Sequence, residues 1–501
     1  MSAAFFCLAL PAVAQPRAQE PLSAIEWLSR SVEPAASTEP PVANDTRAPQ
    51  VIVTPLDRPS KDPIGLLPSS VSGLPRTIWA ASDEQTLVDL VRTEQRETLP
   101  ALREFIKLLM LAEADPPKDA GAENALFLAR IDSLLDLGAI EQAKALIEQA
   151  KPDTAPLFQR WFDVALLTGT EDSACAVMGQ NPSIAPTHIA RIFCLARNGD
   201  WNTAALTLNA HRVLGDVTPA EEALMARFLD PELFESDPPL PRPARISPLI
   251  FRMHEAIGEA LITNNLPLAF AHADLRGTTA WKARLDATER LARRGAISEN
   301  QLQQVYTART PAASGGVWDR VAAFQAFDTA VTAGDADAMS RVLPTAWRAM
   351  QDARTEVAFA KLYGPAINDV ALTGVARDIA LVVGLLSPDY ERFARQTTGH
   401  AQAAFLIALA RGVPQDVPAT DPLQRAIQAA FDTAQPPERL QQMINDGKLG
   451  EALLNAVVLF QHGQAGDTRA LTEALTVLRA AGAEDVARRA ALQMLLLERP
   501  S

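Results

Sequence analysis

Cys175 and Cys194 are the residues of this 501-residue chain whose chemistry reads most directly from type and spacing. They stand nineteen residues apart, and in an oxidising compartment such a pair closes a disulfide once the two Cα atoms come within reach. In the chain-entropy picture a loop of that length contributes ~3 kcal/mol. The other reading is two small thiols buried at a helix contact. No C-x-x-C spacing is present to tune a thiolate, so a redox-active pair is not expected.

The remaining reactive side chains form no recognisable constellation. The six histidines are His188, His211, His254, His272, His400 and His462, and no two share one helix at metal-ligand spacing. His254-Glu255 opens like a zinc-protease helix, but Gly258 stands where the second histidine is needed. Ser314-Gly315-Gly316 has the composition of a protease serine turn, yet its surroundings are helical. G-x-S-x-G, P-loop and dinucleotide-binding glycine patterns are missing. With 60 Asp and Glu in the chain, no carboxylate pair stands out as a general acid and base. The expectation is a protein with no catalytic residue, metal or cofactor.

The elements that carry the cysteines are more informative. Between Asp172 and Gly215, the apolar residues Ile189, Ile192, Phe193 and Leu195 recur at helical spacing up to Gly199. A glycine there takes positive φ at low cost and ends the helix, and Asp200 can cap the next one, from Trp201 to about Val213. The same unit occurs twice earlier: Gly138, Gly169 and Gly199 are 31 and 30 residues apart. Five residues after each stands Ala143, Ala174 or Ala204; seven before, Ile131, Phe162 or Ile192. Eleven before stand Phe127, Phe158 and His188, and nine after stand Ile147, Met178 and Leu208. A fixed period of this kind marks units that bury their apolar faces by stacking on neighbours. The fold class expected is all-α, an α-solenoid of stacked antiparallel helix pairs.

Around this repeat the chain divides by texture. Residues 3–14 (AAFFCLALPAVA) have the apolar run and small-x-small ending of a secretory signal peptide, with cleavage expected after Ala14. The basic residues that open such a peptide are missing, so the true start of the chain stays open. Residues 15–76 hold eleven prolines among Ser, Ala, Glu and Arg, a composition expected to stay extended and largely disordered. Two islands interrupt it, Gln50–Leu56 and Pro21–Val32. The second carries Leu22, Ile25, Trp27 and Leu28, enough apolar surface to dock on a partner or to fold back on the chain's own body. A first helical-repeat region is expected over 77–234, with Ser82 capping a helix through Thr93, and a second over 249–501. Between them residues 235–248, with five prolines, read as a linker or long loop. Near the end Gly447 and Gly482 again have alanines five residues on, and the helix from Glu484 to Leu497 is expected to cap the stack.

A net charge of −14 gives no overall attraction to nucleic acid or anionic lipid. Beyond residue 14 no apolar run approaches membrane-spanning length. The Gly138–Val213 region resembles the tetratricopeptide and Sel1-type superfamily, with a period slightly short for it. The whole chain, with its GDW turn, its PAASGGVWDR loop and its LRAAGAEDVARRAALQMLLLE tail, is similar to a family of exported alphaproteobacterial helical-repeat proteins of uncharacterised function. That resemblance implies export and a repeat fold, and no activity. Exported α-superhelices also occur in soluble lytic transglycosylases, whose catalytic glutamate signature is missing here. Three functions follow from these readings. The first is a periplasmic, non-catalytic scaffold or adaptor for envelope proteins. The second is a regulator or binder of peptidoglycan-processing enzymes or of glycan, associated with the cell wall, which needs exposed Trp281, Trp318 or Trp347. The third is an enzyme of unrecognised type, which needs histidine and carboxylate groups converging in one place.

Overall fold

The three aligned glycines make the same turn. Gly138, Gly169 and Gly199 have φ of +72°, +77° and +87°, and each follows a helix directly or by one residue. In each, the amide after the glycine reaches back to the last helical turn: Ala139 to the Leu134 carbonyl, Thr170 to Ala165, Asp200 to Leu195. These bonds satisfy carbonyls that a helix end otherwise leaves open. The computed structural model describes residues 60–93, 98–397, 401–432 and 435–497. The export run at 3–14, Gln50–Leu56, and Leu22, Ile25, Trp27 and Leu28 lie outside the described residues, as does His400.

The helices before the repeat are α1 (Ser69–Ser72), α2 (Glu84–Arg92) and α3 (Pro100–Leu111). The repeat itself consists of α4 (Ala125–Asp136) and α5 (Ile140–Ala150), α6 (Ala155–Thr168) and α7 (Glu171–Gln180), and α8 (His188–Arg197) and α9 (Trp201–Leu214). There follow α10 (Pro219–Leu229), α11 (Pro248–Ala256), a 3-10 stretch Leu268–Leu275, α12 (Trp281–Arg293) and α13 (Glu299–Tyr306). Next come α14 (Val317–Ala333), α15 (Ala336–Ala353), α16 (Glu356–Asn368), α17 (Val375–Leu386), α18 (Tyr390–Gln396) and α19 (Ala404–Ala410). The last are α20 (Pro422–Phe431), α21 (Glu438–Asn445), α22 (Leu449–Gln464), α23 (Thr468–Ala480) and α24 (Glu484–Leu496). The protein is all-α: among the described residues extended pairing is confined to one isolated bridge, Leu67 to Ala112.

Sequence neighbours pack as pairs, α8 on α9 and α14 on α15 among them. The alanines of the repeat, Ala143, Ala174 and Ala204, are fully buried, which lets the paired backbones approach closely. Ile131, Phe162 and Ile192 fill the space between layers and are at most 1 % exposed. Cys175 of α7 and Cys194 of α8 are joined in a disulfide, with Cα atoms 4.9 Å apart, which fixes the second repeat to the third. Asp200 and Asp335 cap the helices after their glycines, accepting from the amides of Thr203 and Ala338 at 3.2 and 2.8 Å.

Four boundaries differ from the sequence reading. Residues 60–76 belong to the body, although their prolines suggested linker: buried Asp62 accepts from the Phe127 amide at 2.9 Å and so caps α4 from a distance. Ser82 does not cap α2; the helix begins at Glu84, with Asp83 in the cap position. Of the two readings of the proline-rich stretch 235–248, linker and long loop, the second holds: it is a long loop within one compact unit and so does not divide the body. That stretch is tied down by Arg227 on the Pro238 carbonyl and by the Leu240 amide on Glu259. Finally, α24 does not cap an open end. It packs against α3, and α22 packs against α2, so the run of helices closes on itself. The Gln493 side chain accepts from the Ala101 amide at 2.8 Å, and Arg489 pairs with Glu104 at 2.7 Å.

Candidate anion-binding cleft

That closure makes α3 a strut with partners on several sides, and the cleft is built along it. Glu104 pairs with Lys361 of α16 as well as with Arg489, and the Lys107 ammonium donates to the Gly295 carbonyl at the end of α12. Two helix C-termini converge beside α3. The helix α12 ends in Arg290, Arg293 and Arg294, cations that suit the partial negative charge of a helix end. The helix α15 ends at Arg354, whose φ of +56° is an uncommon conformation for a residue with a Cβ and turns the chain abruptly into α16.

Between these ends lies a cavity of about 340 Å³ lined by Arg103, Arg290, Arg293, Arg294 and Arg354, with Asp136 as its one carboxylate. A second space of about 190 Å³ adjoins it, sharing Arg293 and Arg354 and bringing Lys107, Lys361, Glu104, Glu299 and Glu356. Arg290 donates to the carbonyls of Thr263 and Leu266, and Arg293 to that of Ala353, all of them uncharged acceptors. The charges press on one another accordingly. Burial and then Arg294 lower the Arg290 pKa; burial lowers that of Arg293, with Glu289 opposing and Arg354 adding. Lys107 is pushed down to about 8, first by burial and then by Arg103, against the pull of Glu299. Arginines keep their charge through such shifts. Five guanidiniums around one concavity make it a locally cationic feature of a protein whose net charge is −14.

This arrangement can bind an anion. Among the described lining residues of both spaces there is neither histidine nor cysteine, and the arginines offer forked donors suited to carboxylate or phosphate oxygens. The sequence reading missed the cleft, although its signal was present in the Arg290–Gly295 stretch (RLARRG), a knot of cations that reads more simply as a solvated helix face.

The other expected sites fall elsewhere. Trp281 and Trp347 are each 7 % exposed and Trp318 is half-buried against Trp281, with ring centroids 5.3 Å apart. The Trp281 indole donates to the Val305 carbonyl at 3.0 Å. Trp281 and Trp347 therefore present no open ring face of the kind a sugar requires. His254 is buried beside Glu259, and His272 is buried with Nε2 2.8 Å from the Gly138 carbonyl. Ser314-Gly315-Gly316 is a loop in which the Gly315 amide donates to Asp319 at 2.9 Å, with no base beside the serine among the hydrogen bonds described there. Among the described residues no helix is long and apolar enough to cross a membrane. No protein-family model matches the chain, and neither a curated protein nor a solved structure does.

Proposed function

We propose that the protein is a periplasmic, non-catalytic interaction scaffold of the cell envelope, and that its arginine-lined cleft grips a carboxylate-rich segment of a partner protein. The observation that carries this reading is the concentration of Arg103, Arg290, Arg293, Arg294 and Arg354 around one cavity in a chain of net charge −14. A peptide suits the adjoining space better than a purely anionic ligand does. The carboxylates of Glu104, Glu299 and Glu356 line that space as acceptors, and a peptide brings backbone N–H donors for them along with its own carboxylates, which a polyphosphate does not. Export through residues 3–14, with cleavage after Ala14, accords with the Cys175–Cys194 disulfide, a bond that persists in oxidising compartments.

The test is fluorescence anisotropy of a labelled oligoglutamate peptide titrated with the protein, alongside a glutamine peptide of equal length. We expect saturable binding of the acidic peptide only, weakening as salt is raised, and lost in the Arg293→Glu/Arg294→Glu double variant. Equal binding of both peptides, or unchanged binding by the double variant, would remove the cleft from the reading. Recovery of the protein in a cytoplasmic rather than a periplasmic fraction would remove the compartment.

A further inference from the structure

We infer that His188, His211 and Asp216 form a binding site for a divalent transition metal of the zinc class on the outer end of the third repeat. One ligand atom from each of the three lies within 4.8 Å of the other two. The two imidazoles stack with centroids 3.8 Å apart and planes inclined by 25°. The Asp216 carboxylate is 3.0 Å from Nδ1 of His211.

The fold explains how residues so separated meet. His188 is eleven residues before the Gly199 turn and His211 twelve after it, so an antiparallel pair sets the first residue of α8 beside the last turn of α9. Asp216 is placed by the next turn, where Gly215 has φ of +77° and the Asp216 amide donates to the His211 carbonyl at 3.0 Å. Metal-ligand spacing on a single helix, the pattern sought in the sequence, is not how this site is made.

The repeat supplies an internal comparison. In the first two copies the position eleven before the glycine is Phe127 and Phe158, both fully buried; in the third it is His188, which is exposed. The position twelve after is Ala150 and Asn181 in those copies and His211 in the third. Packing therefore does not call for imidazole at either place, yet both members of this facing pair are histidine in the same copy, and a carboxylate is turned toward them.

The donor set fits the chemistry. Two imidazole nitrogens and a carboxylate oxygen suit Zn²⁺ and similar borderline cations, and three protein ligands leave a coordination position for water. Zn–N and Zn–O distances near 2.0–2.2 Å place tetrahedral ligand atoms roughly 3.4 Å apart. The largest closing movement needed is about 1.4 Å, the difference between 4.8 Å and that spacing, which side-chain rotation of exposed His188 and Asp216 supplies.

The test is calorimetric titration of tag-free, oxidised full chain carrying Cys7→Ser with ZnCl₂ at pH 7.5, so that the Cys175–Cys194 disulfide withholds the two remaining thiols from the metal. We expect one equivalent to bind, with affinity falling at least about tenfold in His211→Ala and in Asp216→Ala. His188→Phe restores the residue of the earlier copies and guards against loss of fold. It should keep the circular dichroism and melting temperature of the parent while weakening Zn²⁺ to the same degree. Failure of the parent to bind, or Zn²⁺ binding equally to all three variants, would overturn the site. Neither result bears on the arginine cleft, whose residues are elsewhere.

Discussion

A guanidinium with no exposed surface joins the first helices of the body. Arg130 of α4 donates to the carbonyls of Met110, Asp62 and Ala112 at 2.9, 2.9 and 2.8 Å, tying the end of α3 and the incoming chain to the repeat. Burial lowers its pKa to about 10, with Asp62 opposing, so it stays charged at neutral pH. The residue reinforces segments that also meet at the Leu67–Ala112 bridge and where Asp62 accepts from the Phe127 amide. Arg130→Met keeps much of the volume but strands three buried carbonyls, and we expect a loss of about 3–5 kcal/mol in urea denaturation. A loss under about 1 kcal/mol would mean that water reaches those carbonyls instead. The disulfide acts at the same scale. Replacing Cys175 and Cys194 together with alanine should lower stability by ~3 kcal/mol, as reduction of the parent should, and dithiothreitol should then leave the double variant unaffected.

At the scale of elements, one turn is used three times against different neighbours. A Cβ on Gly138 would lie 2.8 Å from Leu268 and 3.0 Å from Ala296, one on Gly169 would meet Arg276 at 3.2 Å, and one on Gly199 would meet nothing within 4 Å. All three positions are left-handed, so each alanine substitution carries the backbone penalty, roughly 1–2 kcal/mol. Gly138→Ala adds a steric cost that Gly199→Ala lacks, and comparison of their melting temperatures separates the two contributions. The same turn is coupled to pH through His272, which lies against it. Because the Gly138 carbonyl can only accept, Nε2 of His272 is the protonated nitrogen of a neutral ring, and burial lowers its pKa to about 4. Below the ordinary histidine value, near 6.5, the unfolded chain takes up a proton that the folded one refuses. Stability from this group is therefore whole above pH 6.5 and declines as pH falls toward 4, by on the order of 3 kcal/mol. His272→Gln can still donate to Gly138, and its stability should fall less steeply over that interval; parallel slopes for the two proteins would exclude His272 as the cause. The glycine and alanine columns, the pairing of helices and the cysteine bridge were legible because each depends on residues within about one repeat of one another. The cleft was not, because Arg103, Arg293 and Arg354 come together only when α3, α12 and α15 pack, and a lone arginine on a helix looks the same whether it faces water or a cavity. His188 and His211 were legible in principle, since their distances from Gly199 are nearly equal, but only to a search made across the turn.

At the scale of the whole body, closure decides what the repeat can do. An open stack of helix pairs leaves its first and last units to unfold independently, since each touches only its neighbour. Here α2 meets α22 and α3 meets α24, and the strut α3 that bears Arg103, Glu104 and Lys107 is held in part by the last helix of the chain. The cleft thus depends on residues more than 380 positions apart, such as Glu104 and Arg489. The tightest sign of the closure is at Gly450 of α22, where a Cβ would fall 2.3 Å from the Trp79 ring and 2.8 Å from the Ile78 carbonyl. Trp79 and Ile78 are both fully buried and have no open space into which to retreat. Gly450→Ala should therefore overpack this contact at a cost of about 1–3 kcal/mol. Alanine favours a helix interior over glycine by about 1 kcal/mol, so any net loss understates the clash. The location of the damage is the more telling readout. If the ends are coupled, amide exchange should accelerate in Glu84–Arg92 and in Leu449–Gln464 together, although they are far apart in sequence. Acceleration confined to α22 and its neighbour α23 would instead describe an open stack, in which the N-terminal helices do not depend on the C-terminal ones.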